Sequence, residues 1–334
     1  MPSNRAAYLT SAKSTPLQVK STPYTKPGAL EIVIQSHAAA INPLDHIKQS
    51  MGDLLFNWVK YPAILGSDVV GEVVEVEKDV AWFKAGDRKY TVLLTHMVSH
   101  IPDTIPDVDA AVTPLRLSTA ACGLFQTDQL AIQLPSVPAA KPTGKTLLLA
   151  IAAGYEVITT ASPRTFELVK RLGAMKVFDY RSPTVAEDIK KAFKGRIAAG
   201  ALSIGQGAAE KCLDILATCK GNKFLSMASY PFPQTPPERF IVPQITFHYI
   251  TSLIFLWIKA TRHGIRSKCI FGDTLVDNEI GPAMYEYFLP EVLAKESFVA
   301  APNCDVVGHG LESIEHAMDL HKKGASAEKI VVTF

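Results

Sequence analysis

One stretch of the chain holds residue types whose spacing suits binding of a phosphate, and it is Ser162-Pro163-Arg164. It follows Glu156-Val-Ile-Thr-Thr160, which alternates enough and is β-branched enough to be a buried strand. Past a sheet strand of a dinucleotide-binding fold, an acidic residue bonds the ribose 2′-hydroxyl and selects NAD. A hydroxyl followed by a guanidinium suits a 2′-phosphate instead, which Arg grips bidentately. The turn therefore favours NADP(H). The same three residues also make an ordinary helix start, with Ser as N-cap, Pro at N1 and a solvated Arg, so both readings stand.

The elements that position this turn can be read on either side of it. Phe166, Leu168, Val169 and Leu172 recur at helical spacing, Gly173 supplies a stop, and residues 176–180 form a second short strand. Strand, turn, helix and strand make a βαβ unit, whose parallel sheet must be covered on both faces. The part that should precede it is short. A dinucleotide fold begins with a strand, a G-x-G-x-x-G type turn and a helix whose N-terminus holds the pyrophosphate. Here only residues 145–153 lie between the polar 140–144 linker and Gly154. A strand of about five residues and a helix of about eleven do not both fit there. Gly144 and Gly154 form no fingerprint.

Composition bounds the rest. The 334 residues imply about two domains with ample core, and a net charge of +2 with dispersed basic residues points away from nucleic acid. Five cysteines without a C-x-x-C pair argue against a disulfide framework and a structural zinc site, and imply a reducing, cytoplasmic setting. The first residues lack the apolar core of a signal peptide, and the last match no retention signal. Residues 245–258 are apolar but shorter than a membrane span of about 18 to 20 residues. They read as a buried core helix or the wall of an apolar pocket, with membrane-surface contact as the minor alternative.

In chain order, residues 1–115 read as all-β, with strands at 6–10, 17–20, 31–41 and 62–76. Pro43 ends the third. Gly66 and Gly71 suit tight strand corners. Residues 107–128 read as one apolar helix kinked at Pro114. Beyond the βαβ unit, helices are expected at 185–193 and 208–216 and strands ending near Gly205 and at 223–227. Ligands bind outside the carboxyl ends of parallel strands, so Tyr180, Gly205 and residues 226–229 should cluster. Residues 284–294 and 311–321 read as helices, and 323–333 as the end of a closing hairpin.

AAINPLDH at 39–46, PAILGSDVVGEVVEV at 62–76, AGDR at 85–88, STA at 118–120, and ASPRTFELVKRLGA followed by VFDYRS together resemble the medium-chain dehydrogenase/reductase superfamily. The match is closest to its zinc-independent quinone-oxidoreductase branch, which includes the trans-enoyl reductases that work with fungal polyketide synthases. The resemblance implies an α/β fold: a GroES-like β-barrel domain from 1–115 and 290–334, and a Rossmann-type doubly wound parallel sheet over 116–289 whose first strand and helix are truncated. It implies NADPH-dependent hydride transfer to an α,β-unsaturated enoyl or quinone-like carbonyl, in fungal secondary metabolism. The substrate would be small and apolar, with a polyketide synthase as candidate partner and a monomer or homodimer as the assembly.

Zinc members of the superfamily carry a Cys where this chain has Asn42, a Gly-His-Glu motif shortly after the position of Gly66, and a four-Cys lobe. None of these is present, and nine histidines show no ligand spacing. The resemblance therefore implies no zinc. It places Asn42 near the nicotinamide ribose or substrate, with Asp45 as a structural hydrogen-bond acceptor. Thr119 falls near the cofactor's phosphates or nicotinamide, or else caps its own helix. Tyr180 meets the 2′-phosphate or is a plain strand-end residue. Phe271, in Phe-Gly-Asp, belongs to the segment that offers backbone amides to the carboxamide. Lys329 lies near the cofactor or is merely solvated. No general acid is identified. A second family segment is missing after Arg88. Two alternatives follow from the gaps: a degenerate relative acting as a binding or scaffold protein, or a truncated gene model of an active reductase, which the clean resumption of family-like sequence favours.

Overall fold

Alternating apolar residues in the first third of the chain form the strands that alternation predicts. The protein is described by a computed structural model over residues 4–54, 56–80, 83–91, 94–138, 141–148, 154–231, 241–295, 297–324 and 328–334. Strands β1 (Arg5–Leu9), β2 (Gln18–Ser21), β3 (Ile32–Ala40), β4 (Ala63–Ile64), β5 (Asp68–Val76) and β6 (Arg88–Thr91) come first. β1 pairs antiparallel with β2 and β4, and β5 with β3 and β6. Gly71 is required where β5 crosses β3, because a Cβ there would stand 2.0 Å from the Gln35 carbonyl oxygen.

This region is not all-β. Helix α1 (Pro43–Met51) begins where the sequence showed only the end of a strand. Pro43 sits at N1, where its missing N–H costs nothing. The Asp45 carboxylate, at N3, accepts the Asn42 backbone N–H at 2.8 Å. The expected single helix at 107–128 is two, α2 (Asp107–Ala110) and α3 (Pro114–Phe125). Pro114 starts the second helix instead of kinking one.

The chain divides into two compact units, Met1–Leu117 with Gly281–Phe334, and Ser118–Ile280. In the second, strands β7 (Lys145–Leu148), β8 (Glu156–Ala161), β9 (Lys176–Asp179), β10 (Ile197–Ser203), β12 (Phe224–Met227) and β13 (Arg266–Cys269) form a parallel sheet, with the two-residue β11 (Lys220–Gly221) beside β10. Its order is β9-β8-β7-β10-β12-β13. Read by rank of appearance, that is 3-2-1-4-5-6, the doubly wound order whose switch point falls between the first and fourth strands. Helices α4 (Phe166–Arg171), α5 (Val185–Phe193), α6 (Ala208–Thr218) and α7 (Ile241–Arg262) belong to this unit. Ile189 and Phe193 from α5 and Leu213 and Leu216 from α6 bury against Ile158 and Leu225 of the sheet.

The returning segment completes the first unit with α8 (Ile280–Pro282), α9 (Leu289–Ala294), β14 (Asn303–His309), α10 (Ile314–Lys323) and β15 (Glu328–Thr333). Its sheet runs β14-β15-β3-β5-β6. β15 is not the end of a hairpin: it pairs parallel with β14, α10 lies between them in sequence, and its antiparallel partner is β3. Ile330 and Val332 pack with Ile41, Ala317 and Met318, which places Lys329 on the opposite face of β15.

Candidate functional site

Four sequence-chosen residues lie just past the carboxyl ends of the parallel strands. Ser162 and Arg164 follow β8, Tyr180 follows β9, and Gly205 follows β10. Phe271 stands two residues after β13 and is partly exposed. β8 and β9 are in register with Ala161 opposite Asp179, so Ser162 and Tyr180 are the next residues across from each other. The Ser162 hydroxyl lies 3.1 Å from that of Thr165, and Arg164 is exposed with no ion pair among the described residues. The Tyr180 hydroxyl accepts from Arg181 Nε at 3.1 Å, with the guanidinium 5.2 Å from the ring centre. Lys211 donates to the Tyr180 carbonyl at 3.1 Å.

Arg181 and Lys211 were not among the residues singled out from the sequence. Arg181 could have been, as a cation next to Tyr180; Lys211 is brought in by α6 and had no local signal. Gly205 has φ +95° and donates its N–H to the Ser229 hydroxyl at 2.8 Å, so β10 and β12 are tied at their carboxyl ends. Thr119 lies half-buried on α3. Near it in sequence, the Cys122 thiol is pushed up to about 11 by burial, which leaves little thiolate for nucleophilic chemistry.

The pyrophosphate end is different. β7 and β8 are parallel neighbours, with Leu147 opposite Val157. Seven positions separate Leu148 from Glu156, whereas a parallel crossover through a helix takes a dozen or more residues. Residues 149–153 lie outside the described residues; by count alone, the connection is shorter than the roughly eleven residues of a typical helix, whose N-terminus would hold a pyrophosphate. The shortage falls at the carboxyl end of β7, beside the switch point. The donor set at the ends of β8 and β9 thus suits an adenosine 2′-phosphate, while the connection after β7 does not fit a pyrophosphate.

The first unit holds a buried polar network. Asn42 is 1% exposed, and its amide donates to Asp68 at 2.9 Å and to the Ala40 carbonyl at 3.3 Å. Lys329, 4% exposed, donates to the Asn42 side-chain oxygen and lies 3.0 Å from the same Asp68 carboxylate. The other Asp68 oxygen accepts the Leu115 N–H at 2.7 Å. Burial lowers the Lys329 pKa, while Asp68 draws it back up. The polar groups of Asn42 and Lys329 are therefore directed inward, and Asp68 joins them although the sequence reading gave it no role. No local pattern marks a bond between residues 261 positions apart.

Beside this network, Asp45 is pushed up to about 6, chiefly by burial, with Asp68 adding to the effect and the Asn42 N–H and Lys329 opposing it. His46 Nε2 lies 3.1 Å from His321 Nδ1. Burial, then His321 and Lys322, bring His46 down to about 4. Among the described residues, no group of three or more His, Cys, Asp or Glu could hold a metal ion.

Residues 28–104 match the alcohol dehydrogenase GroES-like domain. The chain is 46% identical to the dehydrogenase pigH of Monascus ruber, with 100% of each chain covered. It belongs to the medium-chain dehydrogenase/reductase family. The first unit accordingly carries the family's GroES-like domain, and the parallel sheet is its Rossmann-type partner. The trans-enoyl reductase himH of Aspergillus japonicus is 31% identical over 98% of this chain and 97% of its own. Among solved structures, a mycobacterial protein complexed with NADPH shares the fold, with a TM-score of 0.68, 17% identity and 99% of each chain covered. The pigH alignment runs over 368 positions and this chain has 334 residues, so about 34 positions of that relative have no counterpart here.

Proposed function

We propose that the chain is an NADP(H)-type reductase that transfers a hydride to the β-carbon of an α,β-unsaturated carbonyl, a proton then reaching the α-carbon from solvent. Family membership supports the oxidoreductase class. The observation that carries the choice of NADP(H) is the group at the ends of β8 and β9. Ser162 and Arg164 follow the second strand of the doubly wound order, after which NAD enzymes carry a carboxylate, and Tyr180, Arg181 and Lys211 at the end of β9 support the same reading. The enoyl substrate class, small and apolar, rests on the trans-enoyl reductase among the relatives. A polyketide synthase partner rests on the resemblance alone.

The reduced nicotinamide would supply the hydride, and the protein's task is orientation. Asn42 and Lys329 are positioning residues in this reading: through Asp68 they tie the start of α1 to β5, β15 and the Leu115 amide. The reading invokes no zinc: by the resemblance, Asn42 takes the position of a Cys ligand in zinc relatives. Because the connection after β7 does not fit a pyrophosphate, we assign weak NADPH binding to the 334-residue form. The positions it lacks relative to pigH favour an active longer form over a scaffold protein.

The test uses a chain in which a glycine-rich turn and helix of the dinucleotide-fold type are inserted between Leu148 and Glu156. Ser162→Ala with Arg164→Ala should move its preference from NADPH towards NADH by at least about tenfold, the loss of roughly one charge-assisted contact. An unchanged preference would remove both residues from the phosphate site.

A further inference from the structure

Arg116 is a cation beside the buried network that the proposed reaction leaves without a task. It lies in the first turn of α3 and, like its neighbours, in the first unit. Its side chain reaches solvent. Among the described residues, its one hydrogen bond runs from Nη1 to the Ala301 carbonyl at 3.1 Å, and it makes no ion pair.

This is a poor place for a cation. The first turn of a helix is the positive end of its dipole. Burial lowers the Arg116 pKa, with Asp68 opposing. Lys329 and His321 are lowered chiefly by burial as well, and the charge of Arg116 pushes both further down. Asp68 is already engaged: one of its oxygens holds Lys329 and the Asn42 amide, and the other takes the Leu115 N–H. Asp45 is held by the Asn42 N–H. Most of the guanidinium's planar fork of donors is therefore unused. A residue set against its surroundings in this way marks a place where the chain serves something other than stability.

We infer that Arg116 binds the carboxylate of an otherwise apolar ligand: the Ala301 carbonyl anchors one edge of the fork, and the free edge pairs with both oxygens of the anion. This deepens the proposed reduction by giving its substrate an acidic group, and it rests on that reading only in calling the ligand a substrate. The charges favour a carboxylate over a phosphate. Lys329 is spent on Asp68, and burial holds His46 down to about 4, so it is neutral at pH 7. One unpaired guanidinium matches one negative charge, and a phosphate dianion would bring a second with no free cation to meet it.

Calorimetric titration of the 334-residue chain with hexanoate, without cofactor, should give a dissociation constant below about 1 mM. Hexanol, of the same length and uncharged, should bind at least about tenfold more weakly. Arg116→Gln should weaken hexanoate by at least about tenfold, and Arg116→Lys, which keeps the charge and loses the fork, should fall between. The unfolding midpoint of Arg116→Gln without ligand should not fall, because a cation leaves the positive end of a helix. Absence of saturable hexanoate binding would overturn the inference, as would binding indifferent to Arg116→Gln. Inorganic phosphate that displaces hexanoate at a lower concentration would overturn it in favour of a phosphate ligand. The titration contains no cofactor, so its failure leaves the reductase reading standing, and failure of NADPH to bind leaves this inference standing.

Discussion

Asp45 and His46 are adjacent on α1 and displaced in opposite senses, which makes the pH dependence of stability a sharp probe of the buried network. Asp45 rises from 3.8 to about 6, mainly through burial. A carboxyl raised on folding contributes stability that is full below about 3.8 and lost as the pH climbs through 6. His46 falls from 6.5 to about 4, again mainly through burial. An imidazole lowered on folding contributes stability that is full above 6.5 and lost as the pH drops through 4. His321 is lowered too, and acts in the same sense as His46. Near pH 5, folding thus gives Asp45 a proton and takes one from His46, so the two slopes oppose each other in the wild type. Each proton is worth about 1.4 kcal/mol per pH unit. Relative to wild type, Asp45→Asn should gain about 2 to 3 kcal/mol between pH 4 and pH 6. His46→Gln should lose stability over the same span, by a smaller amount because the ring is partly exposed and screened. Urea unfolding of the wild type and both variants at half-unit pH steps measures these differences. Two flat difference curves, or two of the same sign, would refute the reasoning.

Two further outcomes follow from the packing. Lys329→Met leaves the Asp68 carboxylate buried without its cation and should cost about 3 to 5 kcal/mol, seen as a fall in the unfolding midpoint on the order of 10 °C. Adding Asp68→Asn, which removes the buried charge while keeping an acceptor for the Leu115 N–H, should recover part of that loss, and no recovery would mean the charge is not the source. Gly71→Ala puts a Cβ into the Gln35 carbonyl, so it should destabilise the protein by roughly 2 to 4 kcal/mol in the same assay; a neutral Ala would show that β3 and β5 can separate there.

Elements with a repeating pattern were legible in the sequence. The β8–α4–β9 unit could be placed from alternation, helical spacing and Gly173, and the shortage after β7 from a count of residues between Lys145 and Gly154. Helix α1 was missed because Pro43 was weighed as a strand terminator, when it also fits N1 with Asp45 three positions behind the cap. The β14–β15 pairing was misread because a strand at the chain end shows nothing of whether its partner runs parallel. Lys329 illustrates a deeper limit. Its sequence neighbours resemble those of a solvated lysine, and only the fold brings it to Asp68 and Asn42. The exposed side of α7, where Phe247 and Trp257 face solvent, was hidden for a related reason: an apolar run states that a surface avoids water and not which molecule will cover it.

The account turns on the connection after β7, and NADPH titration by fluorescence tests it most directly. The 334-residue chain should bind with a dissociation constant of hundreds of micromolar or weaker, and the chain with a glycine-rich turn and helix inserted between Leu148 and Glu156 at least about 30-fold more tightly, a difference of roughly 2 kcal/mol. Micromolar, NADPH-selective binding by the 334-residue chain would contradict it.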